Sequence, residues 1–184
     1  VPCGAIIDKP RFSWRGQHLD TVRHYFSADS ILKLLDLMSL FKLNKFHWHG
    51  TDDEAFRFKL DDAYEIATST SARGDGQLVP PVFGSGPFPS GGCYDLVQIK
   101  RIIDRASENY IEVMPEFDLP GHNMSLVKLY PSMRDPEDKS YEVSVQGYTE
   151  NTINPAMPDT LPVLENIIDD LCRVFPGEYI HLGA

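Results

Sequence analysis

The sequence predicts an α/β fold with a parallel β-sheet, and three observations support this prediction. Strand-like segments alternate with segments of helical periodicity, which is the pattern of parallel strands joined by crossover helices. Titratable residues follow these strands at the points where they end. A length of 184 residues, with 42% apolar and 24% charged residues, suits one globular domain.

The elements follow from runs of apolar residues and from their spacing. The predicted strands are 12–20, 44–49, 111–117 and 178–182. Ser27 or Asp29 is expected to cap the first helix, and Asp95 the second. Cys172 lies on the apolar stripe of the third helix and is expected in the core. The three helical stripes are Ile31, Leu34, Leu35, Met38 and Phe41; Leu96, Ile99, Ile102, Ile103, Ala106 and Tyr110; and Val163, Leu164, Ile167, Ile168, Leu171 and Cys172.

Two connections are unusually long. Positions 50–92 contain a stretch rich in glycine and proline and are predicted to form a functional loop, because structureless connections of this length are uncommon. A second long loop is predicted to run to about position 158. An open doubly wound sheet and half of a (β/α)8 barrel both fit this order of elements. No glycine-rich phosphate turn follows the first strand, which weakens a dinucleotide-binding function.

Charge and composition narrow the class of partner. The formal net charge of -10 disfavours nucleic acid and anionic membranes. No apolar run approaches the roughly 20 residues of a membrane span, and no signal peptide is predicted. The three cysteines do not follow metal-site spacing. Cys3 and Cys93 are expected in loops, where they could pair with each other or with cysteines outside the chain.

Titratable side chains follow three predicted strands. If the strands are parallel, these side chains collect on one rim of the sheet. The histidines of His47-x-His49 should share a face, because residues two apart on a strand point the same way. Paired histidines are typical of metal-dependent hydrolases, whereas carboxylates beside an arginine are typical of glycoside hydrolysis. The rim residues are Arg23, His24, His47, His49, Asp52, Asp53, Glu116, Asp118 and His122.

Four stretches decide between these chemistries, because they resemble the β-N-acetylhexosaminidases of glycoside hydrolase family 20. They are WRGQHLDTVRHYF (14–26), KLNKFHWHGTDDE (42–54), IEVMPEFDLPGH (111–122) and YIHLGA (179–184). The resemblance implies a (β/α)8 TIM barrel, of which positions 1–184 supply about the first four units as one partial domain. It implies removal of terminal N-acetylglucosamine or N-acetylgalactosamine from chitooligosaccharides or glycoconjugates, in a chitobiase-like enzyme without metal or cofactor. It also implies a secreted, lysosomal or periplasmic location.

The family's retaining mechanism is substrate-assisted, and the resemblance assigns roles to four residues. The 2-acetamido oxygen of the sugar attacks the anomeric carbon, while an aspartate steadies the acetamido nitrogen and the next glutamate is the general acid. Arg23 would hold the O3 and O4 hydroxyls. Asp52 and His122 would form a relay towards the glutamate, within hydrogen-bonding reach of each other. Asp118 would be a buried supporting carboxylate, and a partner for Arg23.

The chain departs from the family pattern at a few positions. The family follows HLGA or HLGG with the catalytic Asp-Glu pair, and this sequence stops at Ala184. Gly50 stands where the family usually has leucine, and Ala55-Phe56 where it often has Gly-Trp. A non-catalytic or vestigial sugar-binding fragment is therefore the alternative function, and a metal-dependent barrel hydrolase is a distant third. Asn123 begins a glycosylation sequon but is expected to be unmodified, because a glycan there would crowd the rim.

Overall fold

The computed structural model describes residues 3–80, 88–137 and 147–183. The strands are β1 (Gly16–Asp20), β2 (Lys45–His49), β3 (Thr51–Asp52), β4 (Ala55–Phe56), β5 (Phe58–Lys59), β6 (Ala72–Arg73), β7 (Ser90–Gly91), β8 (Tyr94–Asp95) and β9 (Glu112–Glu116). The helices are α1 (Ala28–Leu40), α2 (Tyr64–Thr70), α3 (Leu96–Glu108), α4 (Met124–Leu129) and α5 (Thr160–Val174), with a 3₁₀ turn at Pro131–Met133.

The main sheet is parallel and has the order β1-β2-β9. Its register sets Asp20 beside His49 and His49 beside Glu116, so that the three strands end abreast. The predicted α/β fold with a parallel sheet is thereby confirmed in the part of the chain that the structure describes. Because of this register, the side chains of Asp20, His49 and Glu116 lie next to one another at the carboxyl ends of the strands.

The predicted fourth strand is much shorter than expected. Of positions 178–182, His181 forms an isolated parallel bridge with Glu116. The backbone N–H of His181 donates to the carbonyl of Pro115 at 2.9 Å, and that of Phe117 donates to the carbonyl of His181 at 2.9 Å. This segment therefore extends the sheet beyond β9 by a short contact rather than by a full strand.

The first two predicted helices and their caps are confirmed. Ser27 rather than Asp29 caps α1, since the Ser27 side chain accepts a hydrogen bond from the backbone N–H of Ser30. Asp95 and Gln98 form a reciprocal capping box at the start of α3. The predicted stripes extend too far, however, because α1 ends before Phe41 and α3 ends before Tyr110. Both aromatic side chains are exposed.

Cys172 is exposed on α5, so the prediction that it lies in the core is wrong. The buried face of this helix carries Ile167, Asp170 and Leu171 instead. The Asp170 carboxylate accepts hydrogen bonds from the backbone N–H groups of Asp62 (2.7 Å) and Ala63 (3.2 Å), which precede α2. This bond fixes the rotation of α5 and turns position 172 outward. Cys3 and Cys93 are also free thiols, so of the two pairings left open by the sequence, the one with each other is not formed.

The two long connections contain ordered structure. Within 50–92, β3 pairs with β4, β5 with β8 and β6 with β7, and α2 packs against β4, β5 and α4; positions 81–87 lie outside the described residues. The second connection contains α4 and the 3₁₀ turn, with 138–146 outside the description. The sequence predicted a functional loop over 50–92 without these short strands and α2. Pairings of two residues are too short to produce a periodic pattern.

The strand β2 separates the apolar core from the polar face. Phe46 and Trp48 are fully buried in the core, while His47 and His49 point to the other face. The Trp48 ring packs edge-on against Phe58 and Tyr94, and its Nε1 donates to Thr21 Oγ1 at 3.1 Å. Trp48 thus links the core to the loop that follows β1.

Arg57 is a buried cation whose guanidinium is bonded to backbone carbonyls. Its Nε donates to Thr21 (3.0 Å), Nη2 to Val22 (2.7 Å), and Nη1 to Gly92 (2.8 Å) and to Ser71. Burial lowers the pKa of Arg57 to about 10, so the side chain remains charged at neutral pH. The guanidinium thereby joins the loop after β1 to the residues that precede β6 and β8.

We predict that Arg57→Lys lowers the free energy of unfolding of the full-length protein by about 2–4 kcal/mol, because an ammonium cannot satisfy four carbonyls in this plane. Urea unfolding monitored by circular dichroism measures the loss. Arg101→Lys, at an exposed ion pair with Asp29, is the matched control and should change stability by less than about 0.5 kcal/mol. Equal losses in the two variants would contradict the role of Arg57.

Candidate active site

The candidate site lies where β1, β2 and β9 end. The hairpin of β3 and β4 folds back over this edge and carries Asp52, Asp53 and Glu54 into it. All three carboxylates are buried. Arg23 enters from the loop after β1, and His122 enters from the loop after β9. The structure therefore brings together the polar ends of three strands, as the sequence predicted.

Asp52 is the centre of this arrangement. Its Oδ2 lies 2.5 Å from Arg23 Nη2 and 2.8 Å from His49 Nε2. Its Oδ1 lies 3.2 Å from His122 Nδ1 and accepts a hydrogen bond from the backbone N–H of Asp53 at 2.6 Å. A fully buried carboxylate requires such partners, since an unpaired charge in the interior is strongly destabilising.

The predicted contact between Asp52 and His122 is thus present in the structure. His122 has a positive φ of 56°, a left-handed conformation that brings its ring back towards the β3–β4 hairpin. Its Nδ1 also lies 3.5 Å from Asp53 Oδ2. The His122 side chain is 42% exposed, so it can contact a bound molecule while its Nδ1 stays bonded to Asp52.

Arg23 has partners different from the one expected. Its guanidinium pairs with Asp20 (3.0 Å), Asp52 (2.5 Å) and Glu54 (3.6 Å). The predicted pairing of Arg23 with Asp118 is wrong, because no ion pair joins these two residues in the part of the chain that the structure describes. Three nearer carboxylates occupy the donors of the guanidinium. A cation held by several anions keeps its charge and its orientation.

Asp118 is buried, as expected for a supporting residue, but it supports the backbone. Its N–H donates to Thr51 Oγ1 at 3.0 Å, which attaches the end of β9 to β3. Its carboxylate lies against Gly183, where an added Cβ would come within 1.6 Å of Asp118 Oδ1. Gly183 also has a φ of +73°, so the glycine of the YIHLGA stretch is required for both reasons.

Four imidazoles surround Glu116 on the same face of the sheet. Its Oε2 lies 2.5 Å from His49 Nδ1, 2.8 Å from His47 Nε2 and 3.8 Å from His18 Nε2, and its Oε1 lies 3.1 Å from His181 Nδ1. The prediction that His47 and His49 share a face is confirmed.

The charges of this cluster are set by the pairing of histidine with carboxylate. Burial favours neutral His49, but the hydrogen bonds to Asp52 and Glu116 outweigh it and raise the pKa of His49 to about 9. Burial also opposes ionisation of Glu116, yet the bonds from His47 and His49 hold its pKa well below the usual range. The cluster is therefore stabilised as an ion pair.

Glu54 is a residue of the site that reasoning from the sequence missed. It lies directly after the Asp52-Asp53 pair, and its carboxylate is next to Arg23 Nε without a hydrogen bond to Oε2 from any described residue. Burial raises the pKa of Glu54 to about 7, and the negative charge of Asp52 adds to the effect. The signal in the sequence was the third acidic residue of the run in a segment with apolar neighbours.

The sequon residue Asn123 is buried, and its side-chain amide is occupied. Its Nδ2 donates to the carbonyls of Asp118 (2.9 Å) and Gly121. A glycan attached to this nitrogen would break both bonds at the base of the His122 loop. The structure thus supports the expectation that Asn123 is unmodified.

We predict that Glu54→Gln stabilises the full-length protein increasingly as the pH rises. In the folded protein the pKa of Glu54 is about 7, whereas in the unfolded chain it is 4.5. As the pH rises between these two values the folded state loses stability, by at most about 3 kcal/mol. The variant should therefore gain relative to the unmodified protein between pH 5 and pH 8 in urea unfolding. Glu65→Gln, at an exposed position on α2, is the control. A stability difference independent of pH would contradict the assignment.

Comparisons with known proteins show which family the chain resembles. Residues 12–184 match the family described as Glycosyl hydrolase family 20, catalytic domain. The chain is 34% identical to a beta-hexosaminidase of Vibrio furnissii, over all of the chain and 30% of that protein. It is 34% identical to the beta-hexosaminidase subunit beta of Homo sapiens, over 97% of the chain and 29% of that subunit.

A solved structure of the same family is also similar to this chain. The GH20 exo beta-N-acetylglucosaminidase from Vibrio harveyi in complex with N-acetylglucosamine superposes with a TM-score of 0.91 at 34% identity, over 97% of this chain and 28% of that one. The chain spans less than a third of the length of these three proteins. Because the family match covers nearly all of its residues, this chain belongs to glycosyl hydrolase family 20.

Proposed function

We propose that the whole protein is an exo-acting glycoside hydrolase that removes terminal N-acetylhexosamine from chitooligosaccharides or glycoconjugates. The observation that carries this proposal is the buried Asp52 bonded to His122 at a rim beside Arg23. Support also comes from relatives whose names describe beta-hexosaminidases and from the N-acetylglucosamine bound in the Vibrio harveyi structure.

We propose further that β1, β2 and β9 are the first three strands of a (β/α)8 barrel. Their parallel order and the helices between them support this architecture. The bridge at His181 would then begin the fourth strand. Substrate would bind at the carboxyl ends of the strands, where barrel enzymes place their catalytic residues.

The proposed reaction is substrate-assisted. The acetamido oxygen of the sugar attacks the anomeric carbon and forms a cyclic oxazolinium ion, while a general acid protonates the departing glycosidic oxygen. Water then opens the ring with retention. The acid is expected to be the glutamate of the Asp-Glu pair that follows HLGA in the family, and the same pair is expected after Ala184 in the whole protein.

The described residues would act around that acid. Arg23, oriented by Asp20 and Asp52, would donate to the O3 and O4 hydroxyls of the terminal sugar. His122 would stand between Asp52 and the acid, because Asp52 fixes the orientation and tautomer of the imidazole. His122 would then stabilise the negative charge that forms on the glutamate when the glutamate gives its proton to the glycosidic oxygen.

The part of the chain that the structure describes contains no helix long and apolar enough to cross a membrane. A secreted, lysosomal or periplasmic location remains part of the proposal. The partners proposed for the site are glycans that end in N-acetylhexosamine.

Asp52→Asn in the full-length enzyme should lower kcat by about 10²–10⁴ with little change in KM. An amide can donate to Nδ1 and so favours the wrong tautomer of His122. Initial rates on a chromogenic N-acetylglucosaminide measure the effect. Asp104→Asn, at an exposed carboxylate on α3, is the control and should retain full activity. An Asp52→Asn enzyme with normal kcat would refute the relay.

Arg23→Lys should lower kcat/KM by about 10- to 100-fold with a rise in KM, because an ammonium cannot reproduce the planar fork for two hydroxyls. The same chromogenic assay separates KM from kcat, and Arg101→Lys is the matched control. Unchanged kinetics would show that Arg23 does not hold the sugar. Sugar binding without turnover in the unmodified protein would favour the non-catalytic alternative.

A further inference from the structure

We propose that His49 is a positioning residue of the reaction: a buried imidazolium that bridges Glu116 and Asp52 and holds the Asp52 carboxylate turned towards His122. The inference rests on the proposed function, because it assigns His49 a role in the relay through Asp52. It adds the last residue of β2 to a relay that otherwise consists of Asp52, His122 and the expected glutamate.

The protonation state follows from the two partners of the ring. His49 Nδ1 lies 2.5 Å from Glu116 Oε2, and Nε2 lies 2.8 Å from Asp52 Oδ2. A carboxylate oxygen only accepts, so both ring nitrogens must donate, and an imidazole with two N–H groups carries a positive charge. The ring is 4% exposed, so water does not compete for either nitrogen. The raised pKa of His49 agrees with this assignment.

One contact argues for a neutral ring and is outweighed. Arg23 Nη1 lies 3.0 Å from His49 Nε2 and would donate to it if Nε2 carried no hydrogen. That arrangement would set the Nε2 lone pair against Asp52 Oδ2, an anion at 2.8 Å. Arg23 Nη1 has its own acceptor in Asp20 Oδ2 at 3.0 Å. Donation from His49 to Asp52 satisfies more of these groups.

The surrounding charges favour the cation as a set. Four carboxylates lie near the ring, against one guanidinium and the neighbouring imidazoles. The net field therefore stabilises a positive charge on His49. The groups that face the ring are Asp20 and His18 from β1, Arg23 from the following loop, His47 from β2, Asp52 from β3, Glu116 from β9 and Asp118 from the loop after β9.

The geometry explains how His49 acts on the relay. His49 and Arg23 both bind Oδ2 of Asp52, which leaves Oδ1 to His122. Charges then alternate from Glu116 through His49 to Asp52, ending at the imidazole of His122. Removal of the His49 charge raises the proton affinity of every group beyond it, and removal of the Glu116 charge has the opposite sign.

The test uses the full-length enzyme, a chromogenic N-acetylglucosaminide and complete pH profiles of kcat. His49→Gln should lower kcat at least tenfold with KM within about threefold, and should move both limbs of the profile up by about 0.5 pH unit or more. Glu116→Gln keeps the shape of the carboxylate and should move the alkaline limb down by a similar amount. Thermal melts establish whether each variant is folded. If His49→Gln does not fold, the pH profile of Glu116→Gln decides the test.

The control variant is Glu108→Gln, because Glu108 is an exposed carboxylate on α3 that pairs with Arg105. Its pH profile should coincide with that of the unmodified enzyme. Profiles unmoved in His49→Gln and Glu116→Gln, or moved equally in Glu108→Gln, would overturn the inference. If Asp52→Asn remains fully active, the proposed relay itself fails; if it is impaired while the other profiles stay in place, only the role of His49 fails.

Discussion

The buried negative charge of Asp52 is the constraint on which the rest of the site depends. A carboxylate without exposure to water must be matched by cations and donors, and each of them comes from a different part of the chain. Arg23 follows β1, His49 ends β2 and His122 follows β9. The site can therefore form only when three strands have the right register, which couples folding of the sheet to assembly of the site.

The same register provides a second pairing one step further into the sheet. Glu116 lies beside His49 because β2 and β9 run parallel with those residues opposite each other. Part of the negative charge at the rim is thereby neutralised by His49, whose pKa the two carboxylates raise. The rim itself is held by Arg57, whose bonds to carbonyls need no partner charge and fix the loop that carries Arg23. Electrostatic pairing within the site and backbone bonding beneath it thus perform different tasks.

Much of this arrangement was predictable from residue types and spacing. The caps at Ser27 and Asp95 follow from local patterns. The contact of Asp52 with His122 follows from the family resemblance together with the parallel geometry of the strands. Short pairings such as β3 with β4 were not predictable, because two residues show no periodicity. Neither was the outward turn of Cys172, which a buried aspartate two positions earlier on the helix decides. The choice of partners for Arg23 depended on distances that spacing along the chain does not contain.

The most direct test of the account is a crystal structure of the complete catalytic domain with N-acetylglucosamine bound. We expect the O3 and O4 hydroxyls to lie within hydrogen-bonding distance of the Arg23 guanidinium. We also expect His122 between Asp52 and the glutamate of an Asp-Glu pair following Ala184. A sugar bound away from Arg23, or a His122 ring separated from Asp52 in the complex, would contradict the proposed site and its chemistry.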